Sequence, residues 1–459
     1  MKTLDEIAAG LQGYDPQALS AADVNLFLSR LVEPVTGTET VGIFQALGRT
    51  LAADLISPLN VPPHDNSAMD GYAFDGAALA RALQAGGPDA SVRFKVVGTA
   101  FAGKAWQGQV AAGECVKIMT GAIMPVGLDT VVPQEFTQAE SSNPGSHQSG
   151  TKVDAIHFPA RLLQAGDNRR LCGEDLSQGA PALRKGEHLS SAALGLVASL
   201  GIERLTVYRP LRVAYFSTGD EVLSLGEAPR EGAVYDSNRY TVFGLLQRLG
   251  CEVIDLGVVR DDPALLEAAF VRAAEQADAI ITSGGVSVGE ADFTKAMMKK
   301  LGDVAFWRIA MRPGRPMAVG RISIEKQAIS PGFTGATSYQ KRSAVLFGLP
   351  GNPVAVMVTF LAFVRPALLQ MMGRHNATVP LLKARSSEAI RKKPGRTEYQ
   401  RGIVSTGDDG SLSVRITGNQ GSGVLSSMVQ ANGLIVLHHA QGHVAAGEAV
   451  DVMMLDGLI

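Results

Sequence analysis

The chain is short of cysteine, of aromatic rings and of any surplus of charge. Its three cysteines, Cys115, Cys172 and Cys251, are far apart and odd in number. No C-x-x-C pair exists, so neither a zinc ribbon nor a disulfide framework is expected. The eight histidines show no metalloprotease spacing. His438 and His439 would face opposite sides of a strand, which makes them poor joint ligands. Acid and base nearly cancel to a net charge of -2, without the basic surplus that marks a nucleic-acid binder. An anionic small substrate remains compatible, because a local cluster can oppose the net charge. The longest apolar stretch, Val354 to Val364, is too short to span a bilayer and ends at Arg365. The first residues carry Asp5 and Glu6 and lack the apolar core of a secretory signal. These absences predict a cytoplasmic protein with no membrane and no nucleic acid among its partners.

What is present is length and apolar content. With 459 residues, 46% of them hydrophobic, the chain is expected to form several domains. Ala21 to Leu31 sets Val24, Phe27, Leu28 and Leu31 on one helical face, and a second helix is expected over Val41 to Leu55. Pro58, Pro62 and Pro63 then break the chain. From about 58 to 166, short strand-like runs are bounded by glycines. Ala139 to Thr151 reads as an exposed loop, and Ser190 to Leu200 as a helix stopped by Gly201.

From Leu211 strands and helices alternate. Strands are expected at Arg212 to Phe216, Cys251 to Val259, Ala279 to Thr282, Val304 to Ile309, Pro316 to Gly320 and Val345 to Gly348. Helices are expected at Arg239 to Leu249, Pro263 to Gln276, Ala291 to Leu301 and Pro353 to Met372. This rhythm predicts a doubly wound α/β domain. Glu325 to Lys341 reads as a mobile hairpin extension. The tail turns β-rich, at Gln400 to Ser405, Leu412 to Thr417, Gly433 to Leu437 and Ala449 to Met454.

Ligands of an open parallel sheet bind beyond the carboxyl ends of its strands. The sequence places Ser217-Thr-Gly-Asp-Glu221, Arg260-Asp-Asp262, Ser283-Gly-Gly-Val-Ser-Val-Gly-Glu-Ala-Asp292 and Leu349-Pro-Gly-Asn-Pro353 there. Tyr235-Asp-Ser-Asn-Arg239 opens the first helix. Each residue also has an ordinary role. Asp262 and Asn352 precede prolines as helix caps would, and Gly284 and Gly285 suit plain turns. Taken together, Asp220, Glu221, Asp261, Glu290 and Asp292 offer hard oxygen ligands for Mg²⁺, which takes one or two carboxylates plus water and phosphate. Glycine-rich helix starts suit phosphate. Gly98 to Ala105 imitates a P-loop, but it lacks the final Ser or Thr and no helix follows, so it reads as a β-turn segment.

Several of these segments carry a family resemblance. Asp65-Asn-Ser-Ala-Met-Asp-Gly-Tyr-Ala73 is close to a signature of the molybdopterin molybdenumtransferases, relatives of the gephyrin E domain. Ile118-Met-Thr-Gly-Ala122, Arg169-Arg-Leu-Cys-Gly-Glu-Asp175, Phe216 to Glu221, Tyr235 to Arg239, Ser283 to Asp292 and Gly348 to Pro353 also match, in family order. The resemblance implies an elongated N-terminal domain (1–57 and 167–208), an inserted β-rich domain (58–166), the α/β molybdopterin-binding domain (209–373) and a C-terminal β-barrel (374–459). It implies a homodimer with shared active sites, partner proteins of cofactor biosynthesis, and Mg-dependent insertion of molybdate into adenylylated molybdopterin with release of AMP.

By motif position it implies functional roles for Asp70, Thr120, Asp175, Glu221, Asp261 and Asp292, with Glu221 and Asp292 as metal ligands. The substrate contacts it implies are Ser217, Thr218, Gly219, Asp236, Asn238, Ser283, Gly284, Gly285, Ser287, Arg308, Arg312, Pro350, Gly351 and Asn352. Some members carry Lys where this chain has Arg308 and Arg312. Arg offers a planar fork instead of a point donor. The Glu325 to Lys341 segment is longer than the family leads one to expect. The competing readings are molybdopterin adenylylation and a non-catalytic scaffold. The Asp65 to Ala73 signature argues against the first, and the acidic rim against the second.

Overall fold

The computed structural model describes residues 2–141, 153–285, 293–328, 338–375 and 378–459. The chain divides into two compact units, each taken by itself below. One contains the N-terminal residues through Ala52, Gly186–Ser190 and Leu205–Ile459; the other contains Ala53–Lys185 and Ser191–Arg204.

The larger unit holds the α/β sheet. Its elements are β1 (Arg212–Thr218), α1 (Ser237–Leu249), β2 (Glu252–Val259), α2 (Pro263–Gln276), β3 (Ala279–Ser283), α3 (Phe293–Leu301), β4 (Gly302–Arg308), β5 (Pro316–Ala328) and β6 (Ser338–Leu349). The sheet order is β2-β1-β3-β6-β5-β4. The first four strands are parallel, and β5 and β4 complete the sheet antiparallel.

Helices on both faces explain why β1 and β3 are buried along nearly their whole length. Val213, Tyr215, Ile281 and Phe347 pack on one face with Val242 and Leu246 of α1. The alternate residues Ala214, Phe216, Ile280 and Leu346 pack on the other with Leu266 and Phe270 of α2. Each such buried Leu or Phe contributes about 1.5–3 kcal/mol of transfer free energy.

Pro353 opens a helical run to Met371 whose middle, Phe360–Val364, widens to a π turn. Pro366 lies just beyond and cannot donate a backbone hydrogen bond, which accounts for the local loosening. The run is long and apolar enough to cross a membrane, yet its most apolar 18 residues are 83% buried inside the fold, as in a core helix.

The tail closes into a five-stranded barrel: β7 (Leu382–Ser386), β8 (Thr397–Thr406), β9 (Leu412–Ile416), β10 (Gly433–Leu437) and β11 (Ala449–Met454), with β8 pairing both β9 and β10. Strand β7 was not expected from the sequence, because Lys383 and Arg385 interrupt its short apolar pattern. The helix expected over Val41 to Leu55 does not form. Thr38–Gly42 is a strand, Ile43–Ala46 a single 3-10 turn, and Leu55–Ile56 a strand. Thr38, Thr40 and Val41 are β-branched and favour extended backbone. Gly48, at φ +77°, turns the chain, and Thr50 and Leu51 then bridge to His188 and Val207.

The second unit is built on a six-stranded sheet in which Gly71–Phe74 lies between Glu114–Ile118 and Thr130–Pro133. Gly98 and its two successors end the strand Ser91–Ala100 instead of forming a turn. A Cβ on Gly98 would fall 1.9 Å from the Trp106 ring, so only glycine lets that indole cover the strand. The hairpin expected at Glu325 to Lys341 is paired through Ala328↔Ser338. Its tip, most of the expected loop at 139–151, and residues 291–292 of the expected helix lie outside the described residues.

Gly195 sits exposed inside the helix Ser191–Ser199, and a Cβ added there would meet nothing within 4 Å. Gly195→Ala should raise stability by roughly 0.5–1 kcal/mol by restricting the unfolded chain. Gly71→Ala should prevent folding of its sheet, because the new Cβ would lie 2.0 Å from the Val132 carbonyl oxygen. Thermal unfolding of both variants checks the contrast. A lower midpoint for Gly195→Ala would contradict it.

Candidate functional site

The parallel register places Ser217 opposite Ser283, and Ser283 opposite Leu349. Three loops therefore leave the sheet at one level. Two adjoining cavities open there. The smaller, about 390 Å³, is lined by Ser217, Thr218, Glu221, Asp236, Asn238, Ser283, Gly284, Gly351 and Asn352, among others. The larger, about 730 Å³, shares Glu221, Gly284, Gly351 and Asn352 and adds Gly285, Pro350, Arg312, Arg315, Arg396, Gln420 and Ser422.

Glycine is required at the shared wall. Gly284 has φ +87°, and a Cβ there would lie 2.4 Å from the Thr218 carbonyl oxygen. Gly219 is also left-handed, at φ +138°, and the Glu221 carboxylate folds over it, 2.6 Å from where its Cβ would be. No hydrogen bond or ion pair is made to that carboxylate among the described residues, and it faces both cavities.

The smaller cavity is rich in unsatisfied acceptors. Asp236 is only 5% exposed and caps α1, accepting from the Arg239 backbone N–H at 3.1 Å. Its other oxygen, Oδ2, is buried without a partner among the described residues, as are Asn238 Oδ1 and Thr218 Oγ1. Asn238 Nδ2 donates to the Gly351 carbonyl at 2.7 Å, tying the helix start to the Pro350 loop. Buried acceptors without donors cost free energy unless a ligand supplies them.

The larger cavity is basic, with three arginines against one carboxylate. Met311–Arg312 runs parallel to the start of β8, with Arg312 opposite Glu398. Arg396 forms an ion pair with the buried Glu398 at 2.7 Å. Arg401 beneath is buried, and its pKa is pushed down to about 10 by burial and then by the Arg312 charge. Asn352 occupies the cap position of its helix but makes no cap bond; its Nδ2 donates instead to Ser422 Oγ at 3.0 Å. Asp262 does cap α2, accepting from Ala264 and Leu265.

Other expected residues lie elsewhere. Arg308 lines a separate cavity of about 380 Å³ with Lys295, Lys299 and Phe306. Asp261 lines neither cavity; its backbone N–H donates to Asp220 Oδ1 at 3.3 Å. In the second unit, Asp70 Oδ1 accepts from the Thr120 backbone N–H at 2.7 Å and from its hydroxyl at 2.8 Å. Asp175 is in the same unit, with its backbone N–H bonded to the Val61 carbonyl. Ser287, Glu290 and Asp292 lie outside the described residues. Sequence reasoning missed Arg396, Gln420 and Ser422. The glycine-rich Thr417 to Gly423 run was the one available signal for the last two.

Comparison with known proteins decides the family. Models of the MoeA N-terminal region (domain I and II), a probable molybdopterin binding domain and the MoeA C-terminal region (domain IV) match residues 18–201, 214–370 and 383–455. A molybdopterin molybdenumtransferase of Haemophilus influenzae is 40% identical over 425 residues, covering 92% of this chain and 95% of that protein. The chain belongs to the molybdopterin molybdenumtransferase family. A Nostoc member is 32% identical over 96% of this chain and 94% of its own length. The crystal structure of a molybdopterin biosynthesis moeA protein from Pyrococcus horikoshii OT3 superposes with a TM-score of 0.73 at 25% identity, over 95% of this chain and 100% of that one. Both cavities of this family member draw on the segment matched by the molybdopterin-binding model, and the larger also draws Arg396, Gln420 and Ser422 from the C-terminal match.

The Asp70–Thr120 pair gives a direct test of its own geometry. The Thr120 backbone N–H, and after it the hydroxyl, hold the Asp70 pKa below the usual carboxylate value. A depressed carboxylate stabilises the fold above its unfolded pKa of about 3.9, and that contribution is lost as pH falls through the folded value. Thr120→Val removes the hydroxyl and keeps the N–H. The Asp70 pKa should rise part of the way back, followed by carbon NMR of its carboxyl. An unchanged titration would show that the hydroxyl bond carries no weight.

Proposed function

We propose that this chain inserts molybdate into adenylylated molybdopterin with release of AMP, as a Mg-dependent cytoplasmic homodimer. The observation that carries the reading is the pair of cavities joined at Glu221. One is acceptor-rich and fits the N–H-bearing edge of a pterin. The other is basic and fits oxyanions and phosphate.

Asp236 and Asn238 offer buried oxygens to ring N–H groups, and the loop glycines let the ligand approach the backbone. Arg312, Arg315 and Arg396 line one cavity and suit anions; charge-assisted hydrogen bonds of this kind contribute about 1.5–3 kcal/mol each. The residues suit Mg²⁺ as well. The Glu221 carboxylate faces both cavities without a protein partner among the described residues. Among those residues no three His, Cys, Asp or Glu side chains group to enclose a metal unaided. A carboxylate left free of protein partners suits an ion that takes one or two carboxylates and fills its shell with water and phosphate. Glu221 would hold it, with Asp292 as the second carboxylate by motif position. When bound, Mg²⁺ would supply positive charge that offsets the negative charge of phosphate oxygens. Partner proteins of the same biosynthesis are expected from the family.

AMP release from adenylylated molybdopterin, measured with Mg²⁺ and molybdate, tests the reading. AMP should appear in step with cofactor; consumption of ATP, or no turnover, would point to adenylylation or to a scaffold. Glu221→Gln, at an exposed position, should fold normally and lose most AMP release at limiting Mg²⁺. Turnover equal to the parent across a Mg²⁺ titration would remove Glu221 from metal binding. Arg312→Ala should raise the molybdate needed for half-maximal cofactor formation about ten- to a hundredfold, at 1.4 kcal/mol per tenfold. Arg312→Lys should recover part of this, because the charge returns without the fork. Molybdate curves for both variants that overlay the parent would refute the role.

A further inference from the structure

Beneath the smaller cavity three hydroxyls meet. The Tyr215 phenol lies 2.9 Å from Ser217 Oγ and 2.7 Å from Ser283 Oγ, and the two serines are 3.1 Å apart. Tyr215 and Ser217 share one face of β1, two residues apart, and so about 6.6 Å along the strand. The long phenol side chain bridges that distance from the apolar layer below. Ser217 and Ser283 line the cavity; Tyr215 does not, and is only 1% exposed. Its influence on a ligand therefore passes through the serines.

Counting protons shows what it does. Each hydroxyl has one proton and two lone pairs. Three hydroxyls in a triangle can spend all three protons on its three edges. The serines then present only lone pairs to the cavity. Without the phenol, two serine hydroxyls share one edge, and the second proton is free to point at the ligand. Burial holds the Tyr215 pKa far above its ordinary value, so the phenol keeps its proton at any working pH. The neighbouring Asp236 Oδ2 and Asn238 Oδ1 are also buried acceptors without donors among the described residues.

We propose that Tyr215 is a positioning residue that makes the Ser217 and Ser283 hydroxyls of the cavity floor accept hydrogen bonds only, selecting a substrate end that donates N–H groups. The assignment rests on the molybdopterin reading above and adds to it the residue that orients Ser217 and Ser283. A ligand N–H meeting a serine proton would be repelled, so opening the triangle weakens binding of that end. The interaction is present in ground state and transition state alike, so the effect falls on KM and not on kcat.

The test is steady-state AMP release from adenylylated molybdopterin by the full chain and by Tyr215→Phe, Ser217→Ala, Ser283→Ala and Tyr215→Phe/Ser283→Ala. Tyr215→Phe removes one oxygen and should raise KM about three- to tenfold with kcat within about twofold of the parent, the scale of one hydrogen bond. The double variant should lose less than the product of the two singles, because Tyr215 acts partly through Ser283 and keeps only its Ser217 contact once Ser283 is gone. Ser217→Ala keeps the phenol and opens the triangle from its other side; it should raise KM by a similar factor, which keeps the test open should Tyr215→Phe fold poorly. A parental KM in Tyr215→Phe or in Ser217→Ala overturns the assignment. So does a double variant whose loss is the product of the two singles. A lowered melting temperature with KM unchanged would mark Tyr215 as structural only. Absence of AMP release from the parent overturns the functional reading and this one together, whereas normal parent turnover with unaffected variants overturns this one alone.

Discussion

The register of three parallel strands is the constraint on which the site depends. Ser217 stands opposite Ser283, and Ser283 opposite Leu349, at the carboxyl ends of β1, β3 and β6. The two cavities open at that level beside Glu221, Gly284 and Gly351, and the larger is completed by the Arg312 turn and the barrel. Side chains along a strand alternate between faces, so a slip of one residue would send Ser283 to the opposite helix layer. The apolar alternation below prevents it. Ile281 and Phe347 pack on the same side as Tyr215, while Ile280 and Leu346 pack against Phe216 and Phe270. Core packing thus sets the position of polar groups that contribute nothing to the core.

A second pairing gives the site its charge. Arg312 reaches the larger cavity because Met311–Arg312 lies beside Thr397 and Glu398 of the barrel. The same strand start brings Arg396, and the loop before β10 brings Gln420 and Ser422. Glu398, 1% exposed, is held by Arg396 and by Gln400 Nε2 at 3.1 Å. A buried carboxylate is costly without such partners, and here it offsets repulsion among Arg312, Arg396 and Arg401. The basic cavity is therefore built by the barrel as much as by the α/β sheet.

The sequence made the sheet legible because burial on both faces writes unbroken apolar runs such as Ala279-Ile-Ile-Thr, and helix stops such as Gly250 are local. The strand-end loops were legible for the same reason: once the strands are placed, Thr218 to Glu221 and Gly284 to Gly285 can lie nowhere else. The segment from Val41 to Leu55 was misread because its apolar spacing suits a helix, while bridges from Thr50 to His188 and from Leu51 to Val207 decide otherwise across more than a hundred residues. Strand β7 was missed because its partners β11 and β9, not its own composition, hold it. Arg396 was invisible as a site residue on the same ground. Nothing near it in the chain hints that its neighbour in space is the Arg312 turn.

The two cavities differ in kind, and Glu221 stands in the wall they share. The smaller presents oxygens, and the larger presents guanidinium groups. A molecule with an N–H-bearing ring at one end and phosphate at the other is complementary to them only in one orientation. Reversal would set phosphate against Asp236 and ring N–H against arginine, each a like-charge or donor–donor encounter that disfavours the pose. Gly284 belongs to that wall and Gly219 underlies it, since a Cβ at the first would strike the Thr218 carbonyl oxygen and at the second the Glu221 carboxylate.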